Sequence, residues 1–138
     1  MYRKILVGYD GSAASKKAFE AACGLAEQHG AELFVLTVAR PPEVADDVET
    51  EAVIENSRQY HRRMLAEIKS SVTAKKIKAH FEVAVGHPAE QIIYQADKHG
   101  VDLIVVGDRG RSKFRKLLLG SISKQVTEHA GRPVLVVR

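Results

Sequence analysis

The apolar positions divide the chain into two kinds of segment. Stretches 4–9, 33–38, 103–106 and 134–137 are apolar almost without interruption and only four to six residues long. That pattern marks strands buried on both faces. Between them the apolar residues fall at helical spacing. Residues 13–29 put Ala14, Ala18, Ala21, Ala22, Leu25 and Ala26 on one face, with Ser12 as N-cap and Gly30 at the C′ position. A second helix over 51–72 turns Ile54, Ser57, His61, Leu65, Ile68 and Val72 inward. A third starts on Pro88, with His87 before it as a cap, carries Ile92, Ile93 and Ala96 inward and ends at Gly100. A short fourth helix over 121–130 buries Ile122 and Val126 and stops at Gly131, and Pro133 leads into the last strand.

Segment 77–85 has a different period. Ile77, Ala79, Phe81, Val83 and Val85 face one way, and Lys78, His80 and Glu82 face the other. One wet face suits an edge strand defended by charge. The whole string reads β-α-β-α-β-α-β-α-β, which predicts one α/β domain over 1–138: a five-stranded parallel sheet with helices on both faces. Right-handed crossovers, one reversal of direction and an edge position for the alternating strand give the Rossmann-like order 3-2-1-4-5.

Composition narrows the chemistry. The one cysteine, Cys23, has no disulfide partner and reads as helix packing. None of the six histidines shows H-x-x-x-H spacing, so no structural metal is expected, and His61 reads as a partly buried packing residue. No apolar run approaches the ~18 residues of a membrane span, and the start of the chain lacks a signal-peptide core. The expected location is the cytoplasm. The net charge of +4 says less than its distribution. Residues 43–55 hold six acids (Glu43, Asp46, Asp47, Glu49, Glu51, Glu55) and no base, which reads as a solvated loop and helix start. Residues 109–116 hold five bases (Arg109, Arg111, Lys113, Arg115, Lys116) and no acid, which points to a local anionic ligand.

The strand order says where that ligand belongs. Direction reverses between strands 1 and 4, and ligands bind at the carboxyl ends of strands at such a switch point. Gly8-Tyr9-Asp10-Gly11-Ser12 leaves strand 1 there, and Gly107-Asp108-Arg109-Gly110 leaves strand 4. Gly107, Gly110 and Gly120 are spaced G-x2-G-x9-G, with Ser121 next. Glycines allow positive φ and close backbone approach, and successive N–H groups in such turns form an anion nest. Gly120-Ser121 opens the last helix, whose free N–H groups and dipole favour phosphate. The competing reading is a basic surface loop with glycine turns. Asp10 reads equally as a phosphate or metal ligand and as a turn residue.

Other chemistries find no support in the motifs. There is no G-x4-G-K-[ST] loop and no G-x-S-x-G elbow. Tyr9-Asp10-Gly11-Ser12-Ala13-Ala14 does not match the S-G-G-x-D-S loop of nucleotide-transferring ligases. A phospho-acceptor receiver needs an acidic pair after strand 1 and an Asp after strand 3, where this chain has Asp10 and Val85-Gly86-His87. Phe114 is the one aromatic within the basic cluster, which argues against nucleic acid.

On the opening Ile5-Leu6-Val7-Gly8-Tyr9-Asp10-Gly11-Ser12, the G-x2-G-x9-G-S spacing and the closing Arg132-Pro133-Val134-Leu135-Val136-Val137, the whole chain resembles the universal stress protein family. The glycine spacing is the signature of its ATP-binding branch. The resemblance implies a sheet of the adenine-nucleotide alpha hydrolase kind and a regulatory, stress-response module that binds ATP with Mg²⁺. The alternative is a slow ATPase or nucleotide-transferring enzyme of the same architecture. By the same resemblance Gly8, Tyr9 and Asp10 belong to the nucleotide site, with Asp10 near the phosphates or their Mg²⁺, and the Val38 backbone pairs with the adenine edge. Gly107, Arg109 and Gly110 contact ribose and phosphates, and Gly120, Ser121, Ile122 and Ser123 hold the outer phosphates. The sequence departs from the family pattern at Asp108, where a small or neutral residue is usual, and in the bulky Ser112-Lys113-Phe114-Arg115. Partners other than ATP are a second copy of the chain, joined through the uncharged edge 134–137, and a protein of unspecified kind; a membrane is not among them.

The glycine motif generates its own test. Gly110→Val and Gly120→Val should each abolish or greatly weaken ATP binding while leaving the fold intact, because a β-branched residue resists positive φ and fills the space where phosphate would meet backbone N–H groups. Calorimetry with Mg-ATP on the folded variants measures this. Unchanged affinity in both would reduce the motif to a surface loop.

Overall fold

The computed structural model describes residues 2–40, 47–108 and 121–138, with the backbone only at 47–51, 53 and 54. Glu43, Asp46, Arg109, Gly110, Gly120 and the rest of the basic cluster lie outside the described residues. The elements are β1 (Lys4–Gly8), α1 (Ala13–His29), β2 (Glu32–Ala39), α2 (Asp47–Thr73), β3 (Ala79–Val85), α3 (Pro88–His99), β4 (Leu103–Gly107), α4 (Ser121–His129) and β5 (Val134–Val137). All strand pairs are parallel, in the order β3-β2-β1-β4-β5. This is the expected architecture, with β3 at one edge and β5 at the other.

The inner strands β1, β2 and β4 are buried on both faces, so the core has two halves. Ile5, Val7, Leu33, Val35, Leu103 and Val105 pack under α1 and α2. Leu6, Leu36, Ile104 and Val106 pack under α3 and α4. Ile5 and Val7 on one side and Leu6 on the other show the period of two that divides β1 between the halves. No helix among the described residues is long and apolar enough to cross a membrane.

Three local expectations need correction. The buried face of α1 is Ser15, Ala18, Phe19, Ala22, Cys23 and Ala26, so the stripe is rotated from the expected one and Ala21 and Leu25 are only half-buried. Alanine is small enough to sit on either flank of an apolar stripe. Phe19, with far more surface to hide, sets the rotation. The α2 helix starts at Asp47 rather than near 51, so its first two turns run through the acidic stretch, where negative charge favours the helix dipole. His87 occupies the N-cap of α3 but makes no side-chain cap bond, since its ring lacks the short oxygen of a Ser or Asp cap. Cys23 behaves as expected: it is buried, and burial pushes its thiol up to about 11, which leaves it a packing residue.

The carboxyl ends of β1 and β4 lie side by side, with Val7 opposite Val105. Over them sits the first turn of α1. Ser12 caps it by accepting the Ser15 N–H at 3.1 Å. The turn comes so near the end of β4 that a Cβ on Gly107 would lie 2.7 Å from the carbonyl carbon and oxygen of Ala14 and 2.9 Å from the Ser15 nitrogen. Gly107 is not among the glycines with positive φ, so here the residue serves a close approach rather than a special turn.

Gly107→Ala is therefore expected to cost about 1–3 kcal/mol, as overpacking against backbone does. Gly24→Ala, on the exposed side of α1 with nothing within 4 Å of the added methyl, should instead stabilise by up to ~1 kcal/mol. Urea unfolding of the two variants checks the opposite signs.

Candidate functional site

The site begins where β1 ends. The Tyr9 N–H donates to the Leu36 carbonyl at 2.8 Å, so the chain stays tied to β2 for one residue past the strand. The Tyr9 ring is buried edge-on against Phe19 at 5.9 Å. Burial first, then the charges of Glu67 and Asp10, raise its phenol pKa, which keeps the hydroxyl protonated. Asp10 then makes the turn. Its Oδ1 accepts the Ser12 N–H at 2.9 Å, and its own N–H donates to the Ser15 hydroxyl at 3.3 Å. Gly11 supplies the positive φ of +81° that this turn requires, with Met64 of α2 resting on it. The turn role read for Asp10 is thus observed, and its side chain belongs to the same wall as the cleft below.

The β4 side is built by two tethers. The Asp108 N–H donates to the Val137 carbonyl at 2.9 Å, and the Ser123 hydroxyl donates to the Asp108 carbonyl at 2.9 Å. The second bond fixes the first turn of α4 on the end of β4. The Asp108 carboxylate, in a residue only 5% exposed, lies 3.7 Å from the Arg138 guanidinium. The acid that departs from the family pattern therefore has a cation of its own at the far end of the chain.

Between these walls lies a cleft of about 440 Å³. Gly8, Tyr9, Asp10, Val38, Gly107, Ser121, Ile122 and Ser123 all line it. Of the expected site residues, only Arg109, Gly110 and Gly120 are not placed there, because they fall outside the described residues. Leu36, Val38, Ile92 and Val106 provide an apolar surface, and the N-terminus of α4 opens onto the same space. The volume is in the range of small-molecule sites, and an apolar wall facing a helix N-terminus suits a ligand with a flat ring at one end and an anion at the other.

The cleft also holds residues that sequence reasoning did not assign to it: Ser15, Arg40, Ser57, His61 and Pro88. His61 is half-buried on the inner stripe of α2, as expected of a packing residue, but it lines the cleft as well. Its Nδ1–H donates to the Ser57 carbonyl at 2.7 Å. The available signal was the polar pair Ser57 and His61, four apart, within an otherwise apolar stripe. Among the described residues no cluster of three or more His, Cys, Asp or Glu side chains could hold a metal ion by itself.

With this geometry in place, similarity to known proteins becomes informative. The universal stress protein family model matches residues 1–138. Universal stress protein YxiE of Bacillus subtilis is 35% identical to the chain, with 100% of each covered. The solved structure of universal stress protein UspA from Lactobacillus plantarum is similar at a TM-score of 0.90 and 26% identity, covering 99% of this chain and 98% of that one. A universal stress protein in complex with cAMP is similar at a TM-score of 0.78 and 26% identity, covering 99% and 97%.

Proposed function

The chain belongs to the universal stress protein family, and from that premise we propose that it is a nucleotide-dependent binding module that holds ATP with Mg²⁺ in the cleft between the ends of β1 and β4. The observation that carries this reading is convergence. Segments 8–10, 38, 107 and 121–123 are far apart in the chain, and they line one cleft of about 440 Å³. The relative in complex with cAMP supports an adenine nucleotide as the class of ligand.

In this reading adenine lies against Leu36 and Ile92 with its edge on the Val38 backbone. Gly8 and Tyr9 carry Asp10 to the phosphates. Gly107, Arg109 and Gly110 follow the ribose and phosphates, and Gly120, Ser121, Ile122 and Ser123 receive the outer phosphates. The Ser123 hydroxyl is spent on Asp108, so its contribution is the backbone N–H at the helix start. Mg²⁺ is commonly held by one or two carboxylates together with phosphate oxygens and waters, and Asp10 fits that role. Asp108 is held by Arg138 and repels phosphate less than a lone carboxylate would. The module acts in the cytoplasm, its output passing to a protein partner.

Mass spectrometry of purified, denatured protein should release an adenine nucleotide, and calorimetry should show Mg-ATP binding. Ser121→Ala should weaken that binding about ten- to hundred-fold, the value of one hydroxyl bond to a charged partner. Phosphate release above about 1 per second would instead favour the enzyme alternative.

We also propose that the binding module is a homodimer through Val134–Val137. The β5 strand is a sheet edge without charge before Arg138, and Leu135 on it is 38% exposed. Light scattering at micromolar concentration should give twice the 15.2 kDa chain mass. Val136→Lys should shift the assembly toward monomer.

A further inference from the structure

The His61 ring, which lines the cleft from α2, is held in one tautomer. Its Nδ1 lies 2.7 Å from the Ser57 carbonyl oxygen, and a carbonyl can only accept, so Nδ1 carries a proton. In the neutral ring Nε2 is then an acceptor, on the edge turned away from the α2 backbone. Tyr60 meets the ring edge-on at 5.1 Å, and the residue is half-buried.

The position of this acceptor follows from its neighbours. The α2 helix packs over β2 and β3. Met64, three residues further along, rests on Gly11, where an added Cβ would come within 2.9 Å of its Sδ. His61, the Asp10 turn and Val38 at the end of β2 therefore share the wall of one cleft. In the nucleotide reading above, on which this inference rests, the end of β2 takes the base and the Asp10 turn takes the phosphates and metal. The sugar joins the two. We propose that His61 Nε2 accepts a hydrogen bond from a ribose hydroxyl, making His61 a specificity-determining residue that favours nucleotides carrying both ribose hydroxyls over a 2′- or 3′-deoxy form.

The test compares ATP, 2′-deoxy-ATP and 3′-deoxy-ATP, each with Mg²⁺, by calorimetry on three forms of the full chain. In the wild type at least one deoxy analogue should bind roughly ten-fold more weakly than ATP, since it leaves the Nε2 acceptor in the cleft unpaired. His61→Asn places an amide where Nδ1 stands, so it keeps the bond to Ser57 and lacks the outer acceptor. The discrimination should then shrink to within about two-fold. His61→Gln carries its amide further out, near the position of Nε2, and should retain discrimination. The readout is the ratio of affinities, because a loosened α2 would weaken all three ligands alike. Equal binding of the three by the wild type, discrimination that survives in His61→Asn, or its loss in both variants overturns the assignment and leaves the nucleotide site standing. A wild type that binds none of the three removes the nucleotide reading itself, and this inference with it.

Discussion

Two backbones approaching without a side chain between them set the geometry of the carboxyl edge of the sheet. The first turn of α1 lies on Gly107 at a distance that leaves no space for a Cβ. Because α1 sits there, the Asp10–Gly11–Ser12 turn is held beside the end of β4 instead of being displaced from it. The same proximity lets residues from β1, β4 and α4 share one cleft although the chain between them is long. A glycine that looks like part of a phosphate motif is thus first a packing requirement.

Much of the fold was legible because parallel strands buried on both faces leave a strong mark. Runs such as Leu103–Gly107 cannot be solvated on either side, and the one alternating strand could only be an edge. The order of strands then followed from handedness and a single reversal. Less legible was the rotation of α1, where alanines outnumber the one residue that decides. The partner of Asp108 was beyond pattern reading too. An ion pair with Arg138 is a product of β4 and β5 being neighbours, with Gly107 opposite Val137.

The candidate cleft was legible at the ends of β1 and β4 and not in its α2 wall, for a definite reason. Helical periodicity identifies which face of α2 turns inward but not what that face meets. Toward its end the stripe meets the sheet, and Leu65 and Val72 are buried. Earlier along the same stripe, Ser57 and His61 are half-buried and line the cleft. The change from apolar to polar along one stripe marks where the helix passes beyond the core, and position on the stripe alone does not distinguish His61 from a packing residue.

The charges around the cleft bear on what kind of site this is. Among the described lining residues, Asp10 and Asp108 are acidic and Arg40 is basic, so these side chains by themselves do not make an anion site. Arg138 takes up one of the acids, and Asp10 spends one oxygen on the Ser12 N–H. In the proposed reading, attraction for phosphate comes from the backbone at the start of α4, from a cation at Asp10 and from the bases of the 109–116 sequence. Backbone N–H groups hold a phosphate without offering a base to activate water. A site of that kind, as proposed for this cleft, would recognise its ligand and keep it, which is the property a nucleotide-dependent binding module requires and a rapid hydrolase does not.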